Sequence, residues 1–229
     1  MRTLQKIVSA GYLGDIHEAE FHHDLAAPSW LQHFSKVKYE PGDGFLWMVA
    51  SHTLDQVLHL FGPPRSITAF TRVLRGVESE IEDTHTIILQ FESPLLVTVK
   101  TNCMSVMHKQ LKYFVRGSKG SFVKYGEDQQ CPDGPQLGRD EAGIELDNTW
   151  GQIETQTKVL DDQKYTGSIW SAKVKTEKGD WGEYYADVVR AVRGEIEPVI
   201  KAETSRDGLR IIELARQSAA EGRTLPFDR

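Results

Sequence analysis

Between Gly42 and Gly62 the chain reads GDGFLWMVASHTLDQVLHLFG, and apolar residues recur at helical spacing. Leu46, Val49, Ala50, Leu54, Val57, Leu58 and Phe61 form one stripe. Met48, His52, Asp55 and His59 follow one another at steps of four, three and four, so they share a second face. The run predicts a helix of about five turns without a breaker. Gly42 and Gly44 permit a tight entry, after which the first-turn amides turn the positive end of their dipole toward whatever binds there. A polar face on an otherwise buried helix, beside a glycine-rich entry, reads as a pocket wall. The alternative is that His52 and His59 are hydrogen-bonded residues of the core.

The rest of the pattern divides into strands and helices. Thr3 to Ala10 repeats Leu4, Ile7 and Val8 and predicts a short helix closed by Gly11 and Gly14. Ile16 to Asp24 alternates, with Ile16, Glu18, Glu20 and His22 on one face and His17, Ala19, Phe21 and His23 on the other. Pro28 to Tyr39 reads as a loop over a cleft edge. Strands are predicted at 66–74, 84–91, 95–101, 111–116 and after the glycine turn at 117. Their short connections predict antiparallel pairing. The polar stretch from Glu127 to Thr166 reads as a long excursion. Helices are predicted over 180–193, with Trp181, Tyr184, Tyr185, Val188, Val189 and Val192 as its stripe, and from about Thr204–Asp207 to Gly222. The whole predicts one domain, 1–229, of the α+β class: an open, mostly antiparallel β-sheet with helices packed on one face.

Composition narrows the function classes. A net charge of −6 disfavours nucleic acid as a partner. No apolar run reaches the roughly 20 residues that span a bilayer, and the N-terminus has no long apolar signal core. Only Cys103 and Cys131 are present, which points to a reducing, cytoplasmic setting and an inert Cys103 thiol. The eight histidines include no H-x-x-x-H pair, so no metal is expected. No strand–GxGxxG–helix unit occurs, and Gly117-Ser118-Lys119-Gly120-Ser121 lies between strands without the helix a pyrophosphate needs.

The stretch Gly42 to Gly62 resembles the glycine-rich helix in the C-terminal substrate domain of the GFO/IDH/MocA oxidoreductase family, whose pattern reads approximately G-G-G-x-L-x-D-x-G-x-H-x-x-D. Leu13 to Glu20, Phe114 to Phe122 and Glu213 to Ser218 resemble further family segments, in order along the chain. The resemblance implies a pocket containing His52 and, in many members, a dimer formed through the sheet. It also marks departures. Family members carry a Rossmann domain that binds NAD(P) before this region. Met48 stands where the family has its pocket Asp, Asp43 and Ala50 stand where glycines are usual, and His52 and Asp55 are kept.

The expected chemistry follows from these residues. No cofactor is expected on this chain, and NAD(P) only if a separate Rossmann domain is supplied. His52 is the best general acid or base, and Glu20 and His22 could join it from the strand. Glu18, Trp47, Met48, Asp55, Trp30 and Tyr39 are the candidate substrate contacts. The leading expectation is a standalone small-molecule-binding domain catalysing a redox-neutral step: isomerisation, dehydration or cyclisation. The start at Met1, running directly into family-like sequence, favours a natural short chain. The alternatives are the substrate-binding half of an NAD(P)-dependent oxidoreductase and a non-enzymatic ligand sensor. The expected partners are a small-molecule substrate and a second copy joined through the sheet.

Overall fold

A computed structural model describes residues 1–29, 31, 38–126, 143–180 and 182–228. Trp30, His33 and Phe34, the first part of the 127–166 excursion, and Trp181 lie outside the described residues. Helix α1 (Arg2–Ser9) is followed by strand β1 (Ile16–His22). The organising helix opens with a π-helical turn, Leu46–Ala50, and continues as α2, Ser51–Phe61. Strands β2 (Ser66–Arg72), β3 (Thr84–Gln90), β4 (Leu96–Asn102), β5 (Leu111–Gly117) and β6 (Gly120–Tyr125) come next. Then come β7 (Gly151–Thr155), β8 (Lys164–Tyr165) and β9 (Trp170–Val174). Helices α3 (Gly182–Val192) and α4 (Ala202–Glu221) and the short β10 (Leu225–Pro226) complete the chain.

The strands form one ten-stranded sheet in the order β10-β2-β3-β4-β1-β5-β6-β7-β9-β8. The fold is α+β and the sheet mostly antiparallel, as the alternation predicts. One pairing differs: β1 runs parallel to β4 and antiparallel to β5. The helical segment that follows β1 in sequence carries the chain to the sheet's edge, and β2–β4 return to meet β1 from the far side. Parallel pairing of this kind needs such a crossover. The 127–166 excursion is not all loop, for β7 and β8 extend the sheet from within it. The first helical residue of α4 is Ala202, so Thr204 and Ser205 lie inside its first turn and not at its cap.

Alternation decides what each strand buries. In β1, Ala19 and Phe21 are inaccessible, as are Ile87 and Leu89 of β3 and Val97 and Val99 of β4. These meet Leu54 and Val57 of α2, Ile211, Ile212 and Ala215 of α4, and Leu4 and Ile7 of α1 in one core. Burial of each large aliphatic side chain stabilises the fold by about 1.5–3 kcal/mol. Helix α3 is different. Its apolar residues repeat at helical spacing, yet none is buried, and Tyr184, Tyr185, Val188, Val189 and Val192 are all exposed.

Candidate functional site

The entry to the organising helix is settled by Glu82. Its carboxylate accepts a hydrogen bond from the Leu46 amide at 3.0 Å and from Arg216 at 2.7 Å. Glu82 is 2% exposed. The sequence leaves this positive helix end open to a bound group; the structure fills it with the protein's own carboxylate. Tyr39 and Trp47 belong to the same corner. The Trp47 indole N–H donates to the Tyr39 hydroxyl at 3.1 Å, and the Arg216 guanidinium lies over the Tyr39 ring, 3.2 Å from its centroid. Both candidate contacts are thus engaged in anchoring the helix.

One turn further on, the polar face emerges as the spacing requires. Met48, His52, Asp55 and His59 are all exposed, while Val49, Ala50, Thr53 and Leu54 between them are buried. The His52 ring lies 6.3 Å from the His23 ring, tilted by 41°. His23 follows β1 directly and, by alternation, points to the helical side of the sheet.

Glu18, Glu20 and His22 take the opposite face. The imidazole of His22 is held between two carboxylates, with Nε2 3.0 Å from Glu20 Oε2 and Nδ1 3.1 Å from Asp24 Oδ2. Burial alone would lower its pKa. The hydrogen bonds that its ring gives to Asp24 and Glu20 outweigh that and hold it above the ordinary value. Glu18 pairs with Arg116 at 2.9 Å. The structure therefore brings Glu20 and His22 together, as their alternation implies, and puts the sheet between them and His52. The partner that His52 meets is His23.

Sequence reasoning missed His85. It stands on β3 opposite Thr101 of β4, both on the helical side and each 1% exposed. Among the described residues neither ring nitrogen of His85 has a hydrogen-bond partner, and neither does the Thr101 hydroxyl. Burial drives the His85 pKa down to about 3, with Asp24 and His23 close enough to act on it in opposite senses. The imidazole is neutral at ordinary pH. A buried polar atom left unpaired costs about 1–3 kcal/mol. The available signal was local: a histidine at an inward position of an otherwise aliphatic strand, THTIILQ. Cys103, at the end of β4, is inaccessible, and burial pushes its thiol up to about 12, in keeping with an inert cysteine.

Two cavities lie elsewhere. One of about 250 Å³ is bounded by α1, Tyr113, Phe122 and Lys124, and one of about 500 Å³ by Val8, His17, Phe61 and Phe91. His52 lines neither. Among the described residues no group of three or more His, Cys, Asp or Glu side chains could hold a metal ion. No helix among them is long and apolar enough to cross a membrane. A dinucleotide does not fit the described residues. They contain no glycine-rich turn from a parallel strand into a helix, and Glu82 fills the one glycine-rich helix entry.

The fold and the helix with its histidine face define the class. Residues 1–123 match the family model for the GFO/IDH/MocA C-terminal domain, and the chain belongs to that family. It is 28% identical to the scyllo-inositol 2-dehydrogenase (NADP(+)) IolW of Bacillus subtilis, over 99% of this chain and 61% of that protein. It is 30% identical to the uncharacterized oxidoreductase YhhX of Escherichia coli, over 95% of this chain and 59% of that one. The crystal structure of an oxidoreductase from Bacillus cereus superposes with a TM-score of 0.80 at 25% identity, covering 94% of this chain and 60% of the other. The chain spans about three fifths of the length of the curated relatives it matches. It is an oxidoreductase-family C-terminal domain.

Proposed function

We propose that this domain is the substrate-binding half of an oxidoreductase, in which His52 exchanges a proton with a small hydroxylated molecule. The observation that carries this reading is the placement of His52. It is exposed on the polar face of the organising helix, in ring contact with His23. An imidazole there can accept a proton from a bound hydroxyl group or return one to it, and its neighbour can share the hydrogen-bonding. The described residues do not fit a dinucleotide, so the part given to this domain is binding and proton exchange alone. The bare apolar stripe of α3 supports the view that further polypeptide covers this domain. Since IolW is named for scyllo-inositol, that polyol is the first to test. Calorimetry of the purified chain should show binding that His52→Ala weakens; equal affinity in the variant would remove His52 from the site.

A second reading is a redox-neutral step by the chain alone, favoured by the absence of any dinucleotide cradle among the described residues. Solvent deuterium entering the bound polyol without added cofactor or partner domain would select it. Exchange only when a dinucleotide-binding domain and NADP⁺ are supplied would select the first. The face of the sheet that carries Glu18, Glu20 and His22 has no described helix packed on it and exposes Phe70 and Leu96. We propose that a second copy of the chain covers it.

A further inference from the structure

We infer that His85 and Thr101 form a substrate-reading pair that receives one uncharged hydroxyl group of the ligand, beside His23 on the helical side of the sheet. The inference rests on the binding reading above and adds residues to it. Three polar atoms, His85 Nδ1, His85 Nε2 and Thr101 Oγ1, lack partners among the described residues, and they belong to residues directly opposite each other on adjacent strands. Both residues are 1% exposed, so bulk water does not satisfy them. Buried polar atoms in native proteins are almost always paired, and a cluster of orphans marks a place where something polar belongs. The groups then state what fits. A neutral imidazole offers one donor and one acceptor, and a threonine hydroxyl offers both. An alcohol is likewise donor and acceptor, so it can satisfy the pair without bringing a charge. A carboxylate would find no cation in the pair, and an ammonium would find no carboxylate in it.

The position ties this pair to the candidate site. The His23 amide donates to Lys100 O at 3.0 Å, which sets His23 beside Thr101 on the neighbouring strand, and His23 is the residue in ring contact with His52. Across the sheet the order is His23 after β1, Thr101 on β4 and His85 on β3. The pair would select for a hydroxyl one step removed from the atom on which His52 acts. A deoxy ligand would leave the same orphans unpaired. This is why sites built to hydrogen-bond a substrate hydroxyl reject the analogue lacking it.

The test uses the full chain and scyllo-inositol. Thr101→Val is nearly isosteric and removes only the hydroxyl; His85→Gln keeps a neutral donor and acceptor. Thr101→Val should weaken polyol binding about tenfold. The ¹⁵N resonances of the His85 ring should move when the polyol is added. His85→Gln should retain more affinity than His85→Phe. If the polyol binds the wild-type chain, Thr101→Val binds it equally and the His85 ring signals stay still, the inference is overturned while the binding reading stands. If the wild-type chain binds no polyol, the binding reading falls as well. A buried water exchanging with solvent at His85, undisturbed by the polyol, would also overturn it.

Discussion

The carboxylate of Glu82 occupies the space that a Cβ at Gly44 would fill: an ideal Cβ there would lie 2.2 Å from Glu82 Oε1. Gly44 also has φ +98°, a backbone region that other residues enter only with strain. One contact thus explains why the chain has glycine at the helix entry and why that entry is closed to ligands. Gly44→Ala should destabilise the domain by about 2–4 kcal/mol, through backbone strain and displacement of a buried, charge-assisted hydrogen bond. Denaturant unfolding checks it, and a loss below about 1 kcal/mol would contradict it.

His85 makes stability depend on acid. Its pKa is near 6.5 when unfolded and about 3 when folded. The folded state therefore resists protonation while the unfolded state accepts it. The contribution is complete above about pH 6.5 and is lost as pH falls toward 3, at roughly 1.4 kcal/mol per pH unit. His85→Gln should remove this slope. Stability curves of wild type and variant that run parallel from pH 7 to pH 4 would rule the account out.

His22 acts in the opposite sense. Its folded pKa is raised, so its bonds to Glu20 and Asp24 stabilise fully below the unfolded value and weaken as pH rises through the folded one. Glu20→Gln should cost about 1–2 kcal/mol at pH 5.5 and clearly less at pH 9. A loss that is the same at both pH values would show that the pair contributes packing and not charge.

His52→Ala should leave the fold alone, because the side chain is exposed and outside the core. Thermal unfolding should shift by no more than about 0.5 kcal/mol in stability, while the activity proposed above falls roughly tenfold or more. A large stability loss would recast His52 as a structural residue.

Self-association through the open sheet face predicts a dimeric mass in sedimentation at micromolar concentration. Leu96→Asp should shift it to monomer without unfolding, since Leu96 is 37% exposed. A wild-type chain that sediments as a monomer would end this proposal.

The sequence alone determined the local units. Strand alternation separated Glu20 and His22 from Phe21, and helical spacing put Met48, His52, Asp55 and His59 on one exposed face. Both follow from fixed backbone periods of 2.0 and 3.6 residues, which hold whatever the chain later packs against. Tertiary structure decided the rest. Only the sheet order placed β1 between β4 and β5, showed His23 and not His22 beside His52, and set His85 opposite Thr101. Glu82 closed the helix entry from 36 residues away in sequence. Such meetings join residues far apart along the chain, and no periodicity encodes them. They are fixed by which apolar faces bury each other and by which polar groups that burial leaves to find partners.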